Sequence, residues 1–236
     1  MVMHTRLYPL GSGGVRRNYH IVREVARHHD VRVLVLDPGH DAAGLDRVCG
    51  DGAPRVSVVD TGYHGSRRIL ADGVYLATGR EIGRSSANVQ STIHALCRVH
   101  RPELIHLSSP LLRRYAFPAD VPVVADAHNV EHDNLLRIAH TARSPVRRLF
   151  TSMLARRLRE DETARVRRCD GLLSVSERDR DLFRRMAPAT RVYAVPNGVD
   201  LDYFCPNGET REPLTLVITG KMSYHANVTS VVQFVR

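Results

Sequence analysis

Two short stretches of this 236-residue chain hold the side chains best suited to chemistry. The first is Gly11–Ser12–Gly13–Gly14, followed by a segment in which Val15, Tyr19, Val22, Val25 and Ala26 recur at helical spacing. Glycines let a ligand come close to the backbone, and the amides that open a helix carry partial positive charge, so the loop suits a phosphate or a sugar. Arg16 and Arg17 add formal charge. The same four residues also serve as a plain tight turn, and their types alone do not separate the two uses. The second stretch is Val123–Val124–Ala125–Asp126–Ala127–His128–Asn129–Val130–Glu131, where an apolar run ends in polar groups. Ligands bind at the carboxyl ends of strands in open α/β sheets. His128 can take or give a proton near neutral pH, and Asn129 can hold a hydroxyl or its own turn. A capped strand end with a hydrogen-bonded histidine is the competing interpretation.

The elements that must position these groups alternate between short apolar runs and longer stretches of helical period, the pattern of an α/β fold with a parallel sheet and helices on both faces. Strands are predicted at Val31–Leu36, Arg55–Val59, Leu104–Leu107, Val121–Ala125, Leu172–Val175, Val192–Val195 and Leu214–Thr219. Val89, Ile93, Leu96 and Cys97 mark a second amphipathic helix. Residues 1–8 hold too little Val or Ile for a central parallel strand, which suggests a clipped start. Residues 38–54 and 61–85, rich in Gly, Asp, Ser and Arg, read as loops. Ser144–Pro145 is a hydroxyl cap followed by proline, and Ser176 with Asp179 caps a helix that Pro188 stops. From Val146 the residues Leu149, Phe150, Met153, Leu154 and Leu158 hold one face, read most simply as core with arginines outside.

Composition narrows the function classes. A hydrophobic content of 43% supports a sizeable core, and a formal net charge of +9 favours acidic partners. Cys49, Cys97, Cys169 and Cys205 are widely spaced, without the pairing of a zinc site. No apolar run reaches the roughly 20 residues of a spanning helix, and no signal-peptide core is present, so the chain reads as cytoplasmic, with peripheral contact to the inner face of a membrane as an option. A dinucleotide fingerprint fails because Arg16 stands where Gly or Ala must let helix and strand pack closely, although Asp37 sits near the place of a ribose-binding acid. Nucleic acid is disfavoured by the lack of aromatic interleaving among the arginines.

The glycine loop before its helix, Asp126-x-His128–Asn129-x-Glu131, Ser174–Val175–Ser176–Glu177, and Val195–Pro196–Asn197–Gly198–Val199–Asp200 with Phe204 and Pro206 occur in an order that resembles a family 4 glycosyltransferase of the GT-B type. Residues Leu216 to Met222, with Tyr224 and Asn227, resemble the opening of that family's donor-binding domain; the variants around His128 and Lys221 are similar to sugar transferases of bacterial exopolysaccharide or exosortase-associated clusters.

The resemblance implies two Rossmann-like domains facing across a cleft: an acceptor-side domain over residues 1–195, a linker over 196–213, and the beginning of a nucleotide-sugar domain over 214–236. It implies a retaining transfer from a nucleotide sugar to a lipid-linked or saccharide acceptor, with no metal and no cofactor beyond the donor. Gly13, Gly14, Arg17, Gly220 and Lys221 would contact the donor's phosphates or sugar, Arg16 and Asn129 the acceptor, and His128 the transferred sugar. The family's later E-x7-E segment would lie beyond Arg236, so the chain as it stands is expected to transfer sugar poorly. A noncatalytic half of a split enzyme is the alternative. Residues 143–168 carry nine arginines against Glu160, Asp161 and Glu162, which would suit an anionic membrane surface.

Overall fold

The computed structural model describes residues 1–4, 7, 10–36, 55–59, 87–142, 144–206, 208, 213–220, 222 and 225–235. Two compact units divide the chain, Met1–Asn197 and Gly198–Arg236. In the first, the described elements follow in the order β1 (Val2–Met3), α1 (Gly13–Ala26), β2 (Arg32–Val35), β3 (Arg55–Val58), α2 (Ala87–His100), β4 (Ile105–Leu107), a 3-10 turn (Pro110–Arg114), β5 (Val123–Ala127), α3 (Glu131–Thr141), α4 (Pro145–Val166), β6 (Gly171–Ser174), α5 (Glu177–Met186) and β7 (Arg191–Ala194). The seven strands form one all-parallel sheet in the order β3-β2-β1-β4-β5-β6-β7. The fold is Rossmann-like α/β, as the first domain of a GT-B enzyme is expected to be.

Strand alternation splits the core between the two faces of the sheet. Val2, Leu34, Ile105, Leu107, Val123, Ala125 and Leu172 join Val89 and Ile93 of α2 and Phe183 of α5 in one cluster. Met3, Val33 and Val35 face the other way, with Val22 of α1. Residues 1–8 therefore correct the sequence reading: Val2–Met3 is a central strand paired to both β2 and β4. Two residues suffice because each is buried on its own face, at 7% and 0% exposure.

The helix starts follow the predicted caps. Ser144 Oγ accepts from the Arg147 amide and Ser176 Oγ from the Asp179 amide. A helix that the sequence did not announce, α3, begins at Val130, which has no side chain to cap with. Glu162 of α4 does that work from 31 residues away, accepting from the Glu131 amide at 3.0 Å and approaching the His132 ring Nδ1 at 2.7 Å. Thr151 and Ala155 are buried on α4, which packs on α3; side chains that short let two helices approach closely. Arg165 then ties α4 to the 3-10 turn, gripping Asp161 and donating to the Leu111 carbonyl at 2.9 Å.

Two expectations fail. The core reading of the apolar stripe on α4 does not hold for its first turns, where Val146, Leu149, Phe150 and Met153 are 78%, 65%, 54% and 52% exposed. In the second unit, Leu214–Thr219 is not a strand, and Leu214, Leu216, Val217 and Ile218 are exposed. A parallel strand takes all its ladder bonds from a neighbour, and the described residues of that unit supply none. They form instead a helix, α6 (His225–Val235).

Candidate active site

The strand order reverses direction between β1 and β4: the chain runs outward through β2 and β3, then crosses to β4 and runs the other way. At such a switch point the loops leaving the carboxyl ends diverge and open a crevice. His4 leaves β1 and Ser108 leaves β4. The two meet there, with His4 Nδ1 3.0 Å from Ser108 Oγ and the His4 amide donating to the same oxygen at 3.3 Å.

The glycine loop and the histidine come together beside them. Ser12 caps α1, its hydroxyl accepting from the Val15 amide at 3.4 Å and its carbonyl from the Arg16 amide at 3.0 Å. Gly13 and Gly14 thus contribute the first amides of the helix, which no intrahelical carbonyl can reach. A methyl group added to Gly14 would lie 3.3 Å from His128 Nδ1 and 3.4 Å from Cε1, so the backbone passes directly against the imidazole. A methyl group on Gly13 would meet none of the described residues within 4 Å. One glycine makes room for the histidine, and the other is uncrowded by the described residues.

His128 is half-buried, and that burial lowers its pKa from the ordinary value; Asp126 pulls the other way, Arg17 adds to the lowering, and a hydrogen bond to the Ser108 backbone raises it. Around neutral pH it is therefore a neutral imidazole. With one ring N–H given to the Ser108 carbonyl, the second nitrogen is an acceptor, suited to a substrate hydroxyl. Burial pushes Glu131 above the usual carboxylate range, the neighbouring Glu162 adds to this, and a hydrogen bond with Asn129 opposes it.

Several expected site residues stand elsewhere. Arg17, expected at the donor phosphates, is buried, with Nε donating to Asp126 Oδ2 at 2.7 Å, Nη2 to Asp126 Oδ1 at 3.0 Å, and Nη1 to Asn197 Oδ1 at 3.1 Å and to the Pro196 carbonyl at 3.4 Å. A guanidinium so engaged does not reach out to a ligand. Arg16 is exposed at the loop, its Nε donating to the Leu10 carbonyl at 3.1 Å. Asn129 is exposed and bonded to Glu131. Gly220 belongs to the second unit, where an added methyl would lie 2.9 Å from Asn227 Nδ2. Lys221 and Asp37 fall outside the described residues. Sequence reasoning passed over Ser108 and His4, which carry no motif and become neighbours only through the pairing of β1 with β4.

A glycine-opened helix set against a histidine at a switch-point crevice is an arrangement many α/β enzymes could share, and the family comparison separates them. The model of Glycosyltransferase Family 4 matches residues 11–203. The chain belongs to glycosyltransferase family 4. The match begins at Gly11 of the glycine loop and runs through β5, His128 and the Pro196–Asp200 segment, so every element of the crevice from Gly11 onward lies inside it. No curated protein matches the sequence. As a glycosyltransferase, the chain has a sugar and an acceptor as its substrates. Among the described residues no helix is long and apolar enough to cross a membrane.

Proposed function

We propose that residues 1–195 form the acceptor-side domain of a retaining glycosyltransferase that moves a sugar from a nucleotide sugar to a lipid-linked or saccharide acceptor, with exopolysaccharide assembly the setting that the motif variants suggest. The observation that carries this reading is the contact of Gly14 with His128 inside the family 4 match. When the donor bond breaks, negative charge gathers on the departing diphosphate and positive charge on the sugar ring. The Gly13 and Gly14 amides, at the positive end of α1, suit the first; the accepting nitrogen of His128 suits a hydroxyl of the second. No described residue crowds Gly13, which leaves a phosphate room to approach. The test is transfer from a panel of nucleotide sugars, comparing this chain with a version joined to a complete nucleotide-sugar domain. If the extended version bound no nucleotide sugar, the reading would fail.

An anionic membrane surface is the proposed route to a lipid-linked acceptor. Exposed Val146, Leu149, Phe150 and Met153 lie at spacings of three and four along α4, and the same line continues through Arg156 and Arg157, with Arg147 and Arg148 flanking it. Apolar side chains that enter the headgroup boundary beside arginines that meet anionic lipid give a helix lying in the interface plane. Replacing Arg147, Arg148, Arg156 and Arg157 with glutamine should weaken sedimentation with phosphatidylglycerol vesicles, and Phe150→Asp should do so at any salt concentration. Unchanged, salt-independent association would sink the docking idea.

A further inference from the structure

Arg17 has its side chain only 5% exposed, and its partner Asp126 is 0% exposed. Its two ends serve different parts of the first unit. Nε and Nη2 hold the Asp126 carboxylate in a two-point fork at 2.7 and 3.0 Å, while Nη1 reaches Asn197 Oδ1 at 3.1 Å and the Pro196 carbonyl at 3.4 Å. Arg17 stands one turn along α1 from Gly14, and Asp126 stands two residues before His128 on β5. The helix backbone thus joins Gly14 to Arg17, the ion pair joins Arg17 to Asp126, two residues of chain and an electrostatic pull join Asp126 to His128, and the His128 ring lies back against Gly14. The outer arm of the same guanidinium grips the last two residues of the first unit.

We propose that Arg17 is a positioning residue that fixes His128 against the glycine loop through Asp126 and fastens the exit of the first unit, Pro196–Asn197, to the same frame. The proposal rests on the preceding reading only in that His128 is the group being placed, and its readouts involve no sugar transfer. Arginine is required because a planar fork can hold a carboxylate with one edge and other acceptors with the next, which a single ammonium cannot. The charged and titratable groups acting on His128 are Asp126 of β5 and Arg17 of α1, with His4 after β1 and His106 of β4 close by.

The test follows the His128 ring by NMR titration and, by hydrogen exchange, the Val195 amide, which donates to the Ser174 carbonyl at 2.7 Å just before Pro196, in the full chain and three variants. In Arg17→Met the Asp126 carboxylate loses its cation and turns to the nearby imidazoles, so the His128 midpoint rises by about half a pH unit or more. Arg17→Lys returns the charge and brings the midpoint back, but it leaves the exit unfastened, so the Val195 amide exchanges at least about tenfold faster. Asn197→Ala, at an exposed position, speeds exchange of the same Val195 amide and leaves the His128 midpoint in place. A His128 midpoint that is unchanged or lowered in Arg17→Met would overturn the proposal. So would wild-type exchange in both Arg17→Lys and Asn197→Ala, and these two milder variants decide the matter if Arg17→Met does not fold.

Discussion

His106 offers a quantitative prediction. It sits in the middle of β4, 7% exposed, and neither ring nitrogen has a hydrogen-bond partner among the described residues. Burial pushes its pKa down to about 4; Asp126 opposes this, while the N-terminal amine, Arg17 and His128 add to it. A histidine with a depressed folded-state pKa binds fewer protons folded than unfolded, so its contribution to stability is present above the ordinary value near 6.5 and is lost as the pH falls toward 4. The whole shift corresponds to about 3 kcal/mol, of which about 2 kcal/mol is lost between pH 7 and pH 5. Unmet buried ring nitrogens also cost about 1 kcal/mol or more at neutral pH. His106→Leu removes both penalties at similar volume. Urea unfolding followed by circular dichroism should show the variant about 1 kcal/mol more stable than wild type at pH 7 and about 3 kcal/mol more stable at pH 5. Parallel stability curves for the two proteins across that interval would refute the reasoning, because they would mean that His106 takes up its proton without cost.

Other perturbations separate function from packing. His128→Ala should lower turnover of the extended enzyme about 100-fold or more with little change in donor affinity, measured as kcat and KM over a donor series. Gly14→Ala should displace the His128 ring and shift its NMR resonances, whereas Gly13→Ala, with no described residue within 4 Å, should leave the fold unmoved and weaken only ligand approach. Glu162→Ala removes the carboxylate that caps α3 and pairs with His132 and should cost about 3 kcal/mol in unfolding free energy. Arg101 ends α2 in the left-handed region at φ 43°, so Arg101→Gly should raise stability by about 1 kcal/mol, read from the same unfolding curves.

Much of the sheet was legible because parallel strands buried on both faces read as unbroken apolar runs, as Val31 to Leu36 does. Local signals also held: Ser144 and Ser176 cap the helices that their hydroxyls announce. What escaped depends on partners distant in the chain. The α3 start is invisible because its cap is Glu162, and Arg17 looked like a phosphate ligand because Asp126 lies 109 residues away. The stripe on α4 has the same spacing whether it faces a core or solvent, so only the structure reveals that Val146, Leu149, Phe150 and Met153 are uncovered. Leu214–Thr219 has the composition of a strand, but the ladder partner that would make it one cannot be read from its own residues. Of the candidate site, Gly13, Gly14 and His128 were legible from residue type and position; Ser108 and His4 were not, since the pairing of β1 with β4 brings them together.

The proposed sugar transfer depends on His128 acting beside Gly13 and Gly14. Its most direct test is nucleoside diphosphate release from a panel of nucleotide sugars by the chain joined to a complete donor domain, with and without His128→Ala. Acceptor-dependent release from at least one donor, falling about 100-fold in the variant, is the expected result. Release that is equal in both proteins, or no release and no binding with any donor, would contradict it.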